Sequence, residues 1–150
     1  MPRTVSFTLP GEPVAWQRRV VNKRGQQYTP AKTRDYAAYV RHTYALEAGT
    51  CKVHDGPVSL TLKARLKPPE SWPKWRYEAW ERGGFAAIAC GKKPDLSNVL
   101  KLIEDALNRV AYHDDAQIVA ENIQKVWSYD PGVTVTLTFW DAPTRENATG

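Results

Sequence analysis

Hydrophobic positions open the chain at every second residue: Val5, Phe7 and Leu9 stand between Thr4, Ser6, Thr8 and Pro10. That alternation predicts a strand with one buried face, closed by Pro10-Gly11. Helical spacing then takes over in Tyr36, Tyr39, Val40, Thr43 and Tyr44. It predicts a helix that starts at Thr29-Pro30 or at Thr33 and stops at Gly49. Val58, Leu60, Leu62, Ala64 and Leu66 next alternate with Ser59, Thr61, Lys63, Arg65 and Lys67. This is an amphipathic strand with a basic outer face, ended by Pro68-Pro69. Residues 71–82 give a short element with Ser71 as its helix cap and Trp72, Trp75, Ala79 and Trp80 on one side. Gly83-Gly84 releases it, and it reads as an insertion outside the sheet.

The strongest pattern lies further on, where Leu96, Val99, Leu100, Ile103, Ala106, Leu107 and Val110 form an apolar helical stripe. A turn at Tyr112-His113-Asp114-Asp115 leads into a strand from Gln117 to about Trp127. After Pro131-Gly132, the alternation of Val133, Val135, Leu137 and Phe139 with threonines predicts a final strand. The order of these elements specifies an α+β fold: a small mixed β-sheet of about four strands with two main helices on one face. The chain has 150 residues, 42% hydrophobic and 25% charged, which suits one globular core rather than two. One domain over 1–140 and a flexible tail over 141–150 are expected.

Charge narrows the partners. Lys and Arg outnumber Asp and Glu by 21 to 16, a net +5. The excess is local: residues 13–34 hold no acidic residue but carry Arg18, Arg19, Lys23, Arg24, Lys32 and Arg34, with Trp16 and Tyr28 among them. Asn22-Lys23-Arg24-Gly25 predicts a turn, making this segment a loop or a short hairpin. With Lys63 and Arg65 it would neutralise nucleic-acid phosphates. Cys51 and Cys90 are far apart and lack a CxxC partner, which excludes a zinc knuckle and leaves two idle thiols. No apolar run approaches the roughly 20 residues of a membrane helix. Met1-Pro2-Arg3-Thr4 has no apolar signal core, so no membrane partner and a cytoplasmic location are expected.

Six of the sixteen acidic residues fall between 95 and 121: Asp95, Glu104, Asp105, Asp114, Asp115 and Glu121. Magnesium takes hard oxygen ligands, often one or two carboxylates with water and phosphate oxygens. Asp95 before the strong helix and Asp114-Asp115 beyond it are candidates. Each has a second reading: Asp95 as a helix N-cap, the aspartate pair as a solvated turn, and Glu104 and Asp105 as the wet side of the helix. The tryptophans of residues 72–80 would stack on DNA bases or simply pack.

The stretch from Lys92 to Ile118, KKPDLSNVLKLIEDALNRVAYHDDAQI, resembles the RusA family of Holliday-junction resolvases. Lys93, Pro94, Asp95, Asn98 and Lys101 match its first motif, Asp105-Ala106-Leu107-Asn108 the second, and Asp114, Asp115 and Gln117 the third. Gly11, Pro13, Arg18 and Arg19 match more loosely, as do Tyr28-Thr29-Pro30 and Pro69-Glu70-Ser71-Trp72. The resemblance implies a RusA-like fold and a bacterial or phage-encoded homodimer that nicks four-way DNA junctions in symmetric pairs. It implies Mg2+, with Mn2+ as a substitute, held by Asp95 and Asp115 with Asp114 adjacent. It implies Lys101 in catalysis and Lys93 among the DNA contacts. Ser97 departs from the pattern, since the family has an aspartate there; a neutral hydroxyl reaches a metal only through a water. That departure keeps open a catalytically weak or inactive junction-binding dimer, and a nuclease on other branched DNA would share all of these residues.

Overall fold

The alternating segments become the strands of one four-stranded sheet. The computed structural model describes residues 2–84 and 89–146. Strands β1 (Arg3–Pro10), β4 (Val58–Leu66), β5 (Ile118–Trp127) and β6 (Gly132–Phe139) assemble in the order β1-β6-β4-β5. β6 runs antiparallel to β1 and β4, while β4 and β5 are parallel, so the sheet is mixed. Parallel neighbours need a crossover, and the stretch between β4 and β5 supplies it.

Helices α1 (Ala31–Ala48) and α3 (Leu96–Leu107) pack against each other, α1 also against β1 and α3 also against β4 and β5. The residues that alternate in sequence are those that disappear into this layer: Val5, Phe7, Leu9, Leu60, Leu62 and Leu137 are all buried. Val99, Leu100, Leu102, Ile103, Ala106 and Leu107 of α3 complete the core. Each large side chain there contributes about 1.5–3 kcal/mol by leaving water. The opposite face of β1 and β6 carries hydroxyls that bond across the strands, Ser6 to Thr136 at 3.0 Å and Thr8 to Thr134 at 3.2 Å.

Several boundaries moved for local reasons. α1 starts after Pro30, the earlier of the two expected starts, and Gly49 at φ +67° ends it. α2 (Lys74–Glu81) begins after Pro73 rather than at Ser71, because a proline disfavours helical φ/ψ in the residue before it. α3 stops at Leu107, three residues short of Val110, where Arg109 at φ +65° turns the chain back and its N–H bonds the Tyr112 carbonyl at 2.7 Å. Asp115–Gln117 is a turn of 3-10 helix, so β5 opens at Ile118. The basic segment is a hairpin of β2 (Val20–Val21) and β3 (Gln27–Tyr28). Asn22 shapes its turn by accepting from the N–H groups of Arg24 and Gln26, with Gly25 at φ +76°. Trp72 packs edge-on against both Trp80 and Trp127, and Trp72 and Trp80 close over Leu66 and Cys90, a packing role; Trp75 stays exposed. Cys51 and Cys90 are free thiols. Residues 141–146 carry no helix or strand, and the rest of the expected tail, 147–150, lies outside the described residues.

Candidate active site

α3 carries carboxylates at both ends. At its start Asp95 occupies the N-cap position with extended backbone, yet its side chain caps no helix amide. It instead pairs with Lys93 at 3.1 Å and remains half exposed. Lys125 of β5 secures the approach by donating from Nζ to the carbonyls of Lys92 and Pro94, the latter at 2.9 Å. Lys32, Lys93, Asp95 and Asn98 line one hollow of about 340 Å³ there. Ser97, two residues further on, is exposed.

Beyond the other end, the two neighbouring aspartates do different work. Asp114 caps the 3-10 turn: its carboxylate accepts from the Ala116 N–H, and Gln117 closes the capping box. Hydrogen bonds from Asp115 and from the backbone hold the Asp114 carboxyl below the usual carboxylate range. Gln117 ties the turn to the fold with four bonds. Its Oε1 accepts from the N–H groups of His113 and Asp114, and its Nε2 donates to the carbonyls of His54 and Gly56. Asp115 is left as the aspartate directed at other acids. Its hydrogen bond with Asp114, burial, and the charges of Asp114 and Asp105 push its carboxyl up.

A register shift in β5 adds a carboxylate that the alternation in sequence conceals. Between Val58 and Ser59 the β4–β5 pairing skips Val119, and Glu121 consequently stands opposite Leu60. One extra residue reverses every later side chain. Glu121 is thereby turned to the helix side, where Glu104 hydrogen-bonds it. Burial, that bond, and the charges of Glu121, Asp115 and Asp105 push the Glu104 carboxyl up to about 8. Glu104 was expected on the wet side of α3, and Glu121 had no expected role; the only trace in the sequence is the density of acids over 95–121.

The sign of the pH effect follows. The folded chain holds a proton on Glu104 that an unfolded chain releases near 4.5. The stabilisation is therefore full below about 4.5 and is lost as pH rises through about 8. Glu104→Gln should raise the melting temperature by an amount that grows from pH 5 to pH 9. A gain that is flat over that range would show that no proton is shared here.

Lys101 lies between the two ends, exposed on α3, with its Nζ 3.8 Å from the centre of the Trp16 ring. Trp16 is held against the same helix by its N–H, which bonds the Asn98 carbonyl at 2.9 Å. The acid-free segment thus lies along α3. Arg19 and Arg34 line a hollow with Asp105, whereas Arg18, Lys23 and Arg24 are exposed. Lys63 and Arg65 alternate with buried β4 residues, so they stand on the face opposite α3. Arg65 is engaged there: its guanidinium donates to the Asp130 carbonyl and the Thr134 hydroxyl and sits against Gly132, where a Cβ would meet it at 2.7 Å.

Asp95 precedes α3 and Asp115 follows it in the 3-10 turn. Ten residues of helical rise, about 15 Å, separate Asp95 from Asp105, the α3 carboxylate that influences Asp115. Among the described residues, no three Asp, Glu, His or Cys side chains converge as a ligand set. At the Asp115 end, Glu104, Asp115 and Glu121 are hard-oxygen groups of the class a hard divalent cation takes, and the proton that Glu104 keeps relieves part of their mutual repulsion.

The model of the endodeoxyribonuclease RusA family matches residues 10–138, from the end of β1 to the penultimate residue of β6. The chain belongs to the RusA family. It is also similar to "Uncharacterized protein YqaN" of Bacillus subtilis (strain 168), 33% identical over 141 residues that cover 89% of this chain and 94% of that protein. RusA membership assigns the chain to a family of DNA endonucleases, and the match spans both acidic ends of α3, Lys101 and the basic hairpin. Among the described residues, no helix is long and apolar enough to cross a membrane.

Proposed function

We propose that this single-domain protein is a magnesium-dependent, structure-specific endonuclease that resolves four-way DNA junctions by paired, symmetric nicks. The observation that carries this reading is the group of carboxyls formed by Glu104 of α3, Asp115 of the 3-10 turn and Glu121 of β5, with Lys101 on α3 and an acid-free segment against the same helix. Asp115 would contribute a carboxylate to Mg2+, or to Mn2+ in its place, with water and phosphate oxygens completing the ligands and Glu104 and Glu121 close to the ion. The bound cation supplies Lewis-acid polarisation of a phosphate oxygen and eases deprotonation of the attacking water. Lys101, steadied over Trp16, stabilises charge that develops on the phosphate and the leaving oxygen. Asp114 and Gln117 keep Asp115 aimed. Asp95, with Ser97 two residues later, forms a second acidic station, beside Lys93 and Lys32.

Arg18, Arg19, Lys23, Arg24 and Arg34 contact the phosphate backbone, which fixes position without reading sequence. A junction with two-fold symmetry is matched by a two-fold homodimer that presents one site to each equivalent strand. The test is incubation of labelled four-way junction, flap and linear duplex with the protein, in magnesium and in chelator. Magnesium-dependent paired nicks in the junction alone are expected. Preferred cleavage of flaps would redirect the reading to other branched DNA. Junction binding without nicks would leave a binding dimer.

Ser97 supports that last alternative, because a hydroxyl adds no charge to the acidic station at Asp95. Ser97→Asp places a carboxylate in the first turn of α3, where the helix dipole favours it. The substitution should lower the magnesium concentration at half-maximal nicking and keep or raise the rate. A magnesium titration of both proteins at one pH and salt decides this. Loss of cleavage in Ser97→Asp would show the serine to be a working part of the site.

A further inference from the structure

Between the basic hairpin, α1 and α3 lies a cavity of about 580 Å³, within the range of about 300–1,000 Å³ usual for small-ligand sites. Its lining divides by chemistry. Trp16, Tyr28, Ala37, Leu102 and Ala106 provide aromatic and aliphatic surface. Arg19, Arg34 and Arg41 bring three guanidinium groups, and Asp105 a single carboxylate. Tyr28 keeps 49% of its surface exposed although it sits at the cavity wall, so a ring can stack on it at little cost. An apolar surface refuses a phosphate and accepts a flat base, while guanidinium groups pair with phosphate oxygens. Asp105 repels an anion from its own side and so directs the phosphate toward the arginines.

The cavity also has a fixed relation to the chemistry. Trp16 lines it and carries the Lys101 ammonium over its ring. Asp105, on the far wall, belongs to the group of acids that perturbs Glu104 and Asp115. A nucleotide seated here therefore lies beside the groups assigned to phosphodiester cleavage.

We propose that this cavity receives one unpaired nucleotide from the branch point of the DNA, its base stacked on Tyr28 and Trp16 and its phosphate against Arg19, Arg34 and Arg41. The proposal rests on the reading of the chain as a branched-DNA nuclease and adds the feature by which a branch differs from a duplex. A branch point has nucleotides that are already loosely stacked, so extruding one costs less there than inside a continuous helix. Shape selection then requires no reading of base edges.

The experiment measures binding in chelator, where no strand is cut. Dissociation constants are taken for an intact four-way junction, for junctions with an abasic sugar at each branch-point position in turn, and for single-stranded oligonucleotides with and without an abasic site. Wild type, Tyr28→Ala and Tyr28→Phe are compared. Tyr28 is exposed on a two-residue strand, so both variants should fold, which circular dichroism checks. Removing the base at one position should weaken wild-type binding about tenfold, as should Tyr28→Ala, and the two together should cost no more than either alone. Tyr28→Phe should restore the affinity. Independent losses that multiply, or equal affinity for intact and abasic junctions, overturn the pocket even if the protein nicks junctions. An abasic penalty on single strands that Tyr28→Ala removes keeps the pocket even if junctions are neither preferred nor cut, and in that case only the junction reading fails.

Discussion

Asp115→Asn should reduce junction nicking by on the order of 10²–10³ or more, the scale seen when a group that stabilises transition-state charge is removed. Asp95→Asn should do likewise from the other end of α3. The two are expected to fail for different reasons. Asp115 lies with Glu104 and Glu121, so its loss removes a metal donor, and high magnesium should recover part of the activity. Asp95 is paired with Lys93 and free of any capping bond, so its loss releases a lysine beside the DNA rather than a donor from the Glu104 group. Magnesium should recover little in that variant. Junction affinity should hold or tighten in both, since each change removes a negative charge that repels phosphate. Single-turnover nicking over a range of magnesium concentrations, with binding measured in chelator, separates these outcomes. Full cleavage by either variant would remove that residue from the site.

Gln117→Ala should destabilise the fold by about 3 kcal/mol, since it breaks four hydrogen bonds worth about 0.5–1.5 kcal/mol each net, two of them to the part-buried carbonyls of His54 and Gly56. For a chain of this size that is a drop of about 6–12 °C in melting temperature. The side chain joins the turn at Asp114 to the carbonyls of His54 and Gly56 just before β4. Gly56 has no room for a side chain there, because a Cβ would collide with the Trp140 carbonyl. Loosening the turn also frees Asp115, so nicking should fall at temperatures where the variant is still folded. Thermal melts and nicking assays well below the new midpoint measure the two effects separately. A melting temperature within 2 °C of wild type, on the same scale of about 2–4 °C per kcal/mol, would show that water replaces the bonds of Gln117.

The elements were legible in the sequence because their signals are local. An alternating run such as Val5, Phe7 and Leu9 must turn one side inward, and the stripe of α3 must find a core, whatever else the chain does. The same holds for the motif residues: Asp95, Lys101, Asp114, Asp115 and Gln117 were marked by spacing along the chain. What each side chain does was settled by groups distant in sequence. Asp114 and Asp115 look alike as neighbours, yet one caps a turn and the other adds its charge to those that raise the Glu104 carboxyl. Glu121 reaches that group only because the pairing of β5 with β4 skips Val119, and register belongs to a strand pair rather than to either strand. Trp16 meets Lys101 across 85 residues, and Arg65, expected on DNA, is bonded to the β5–β6 turn. Periodicity determines which way a residue faces relative to its own neighbours along the chain; only packing decides what it then meets.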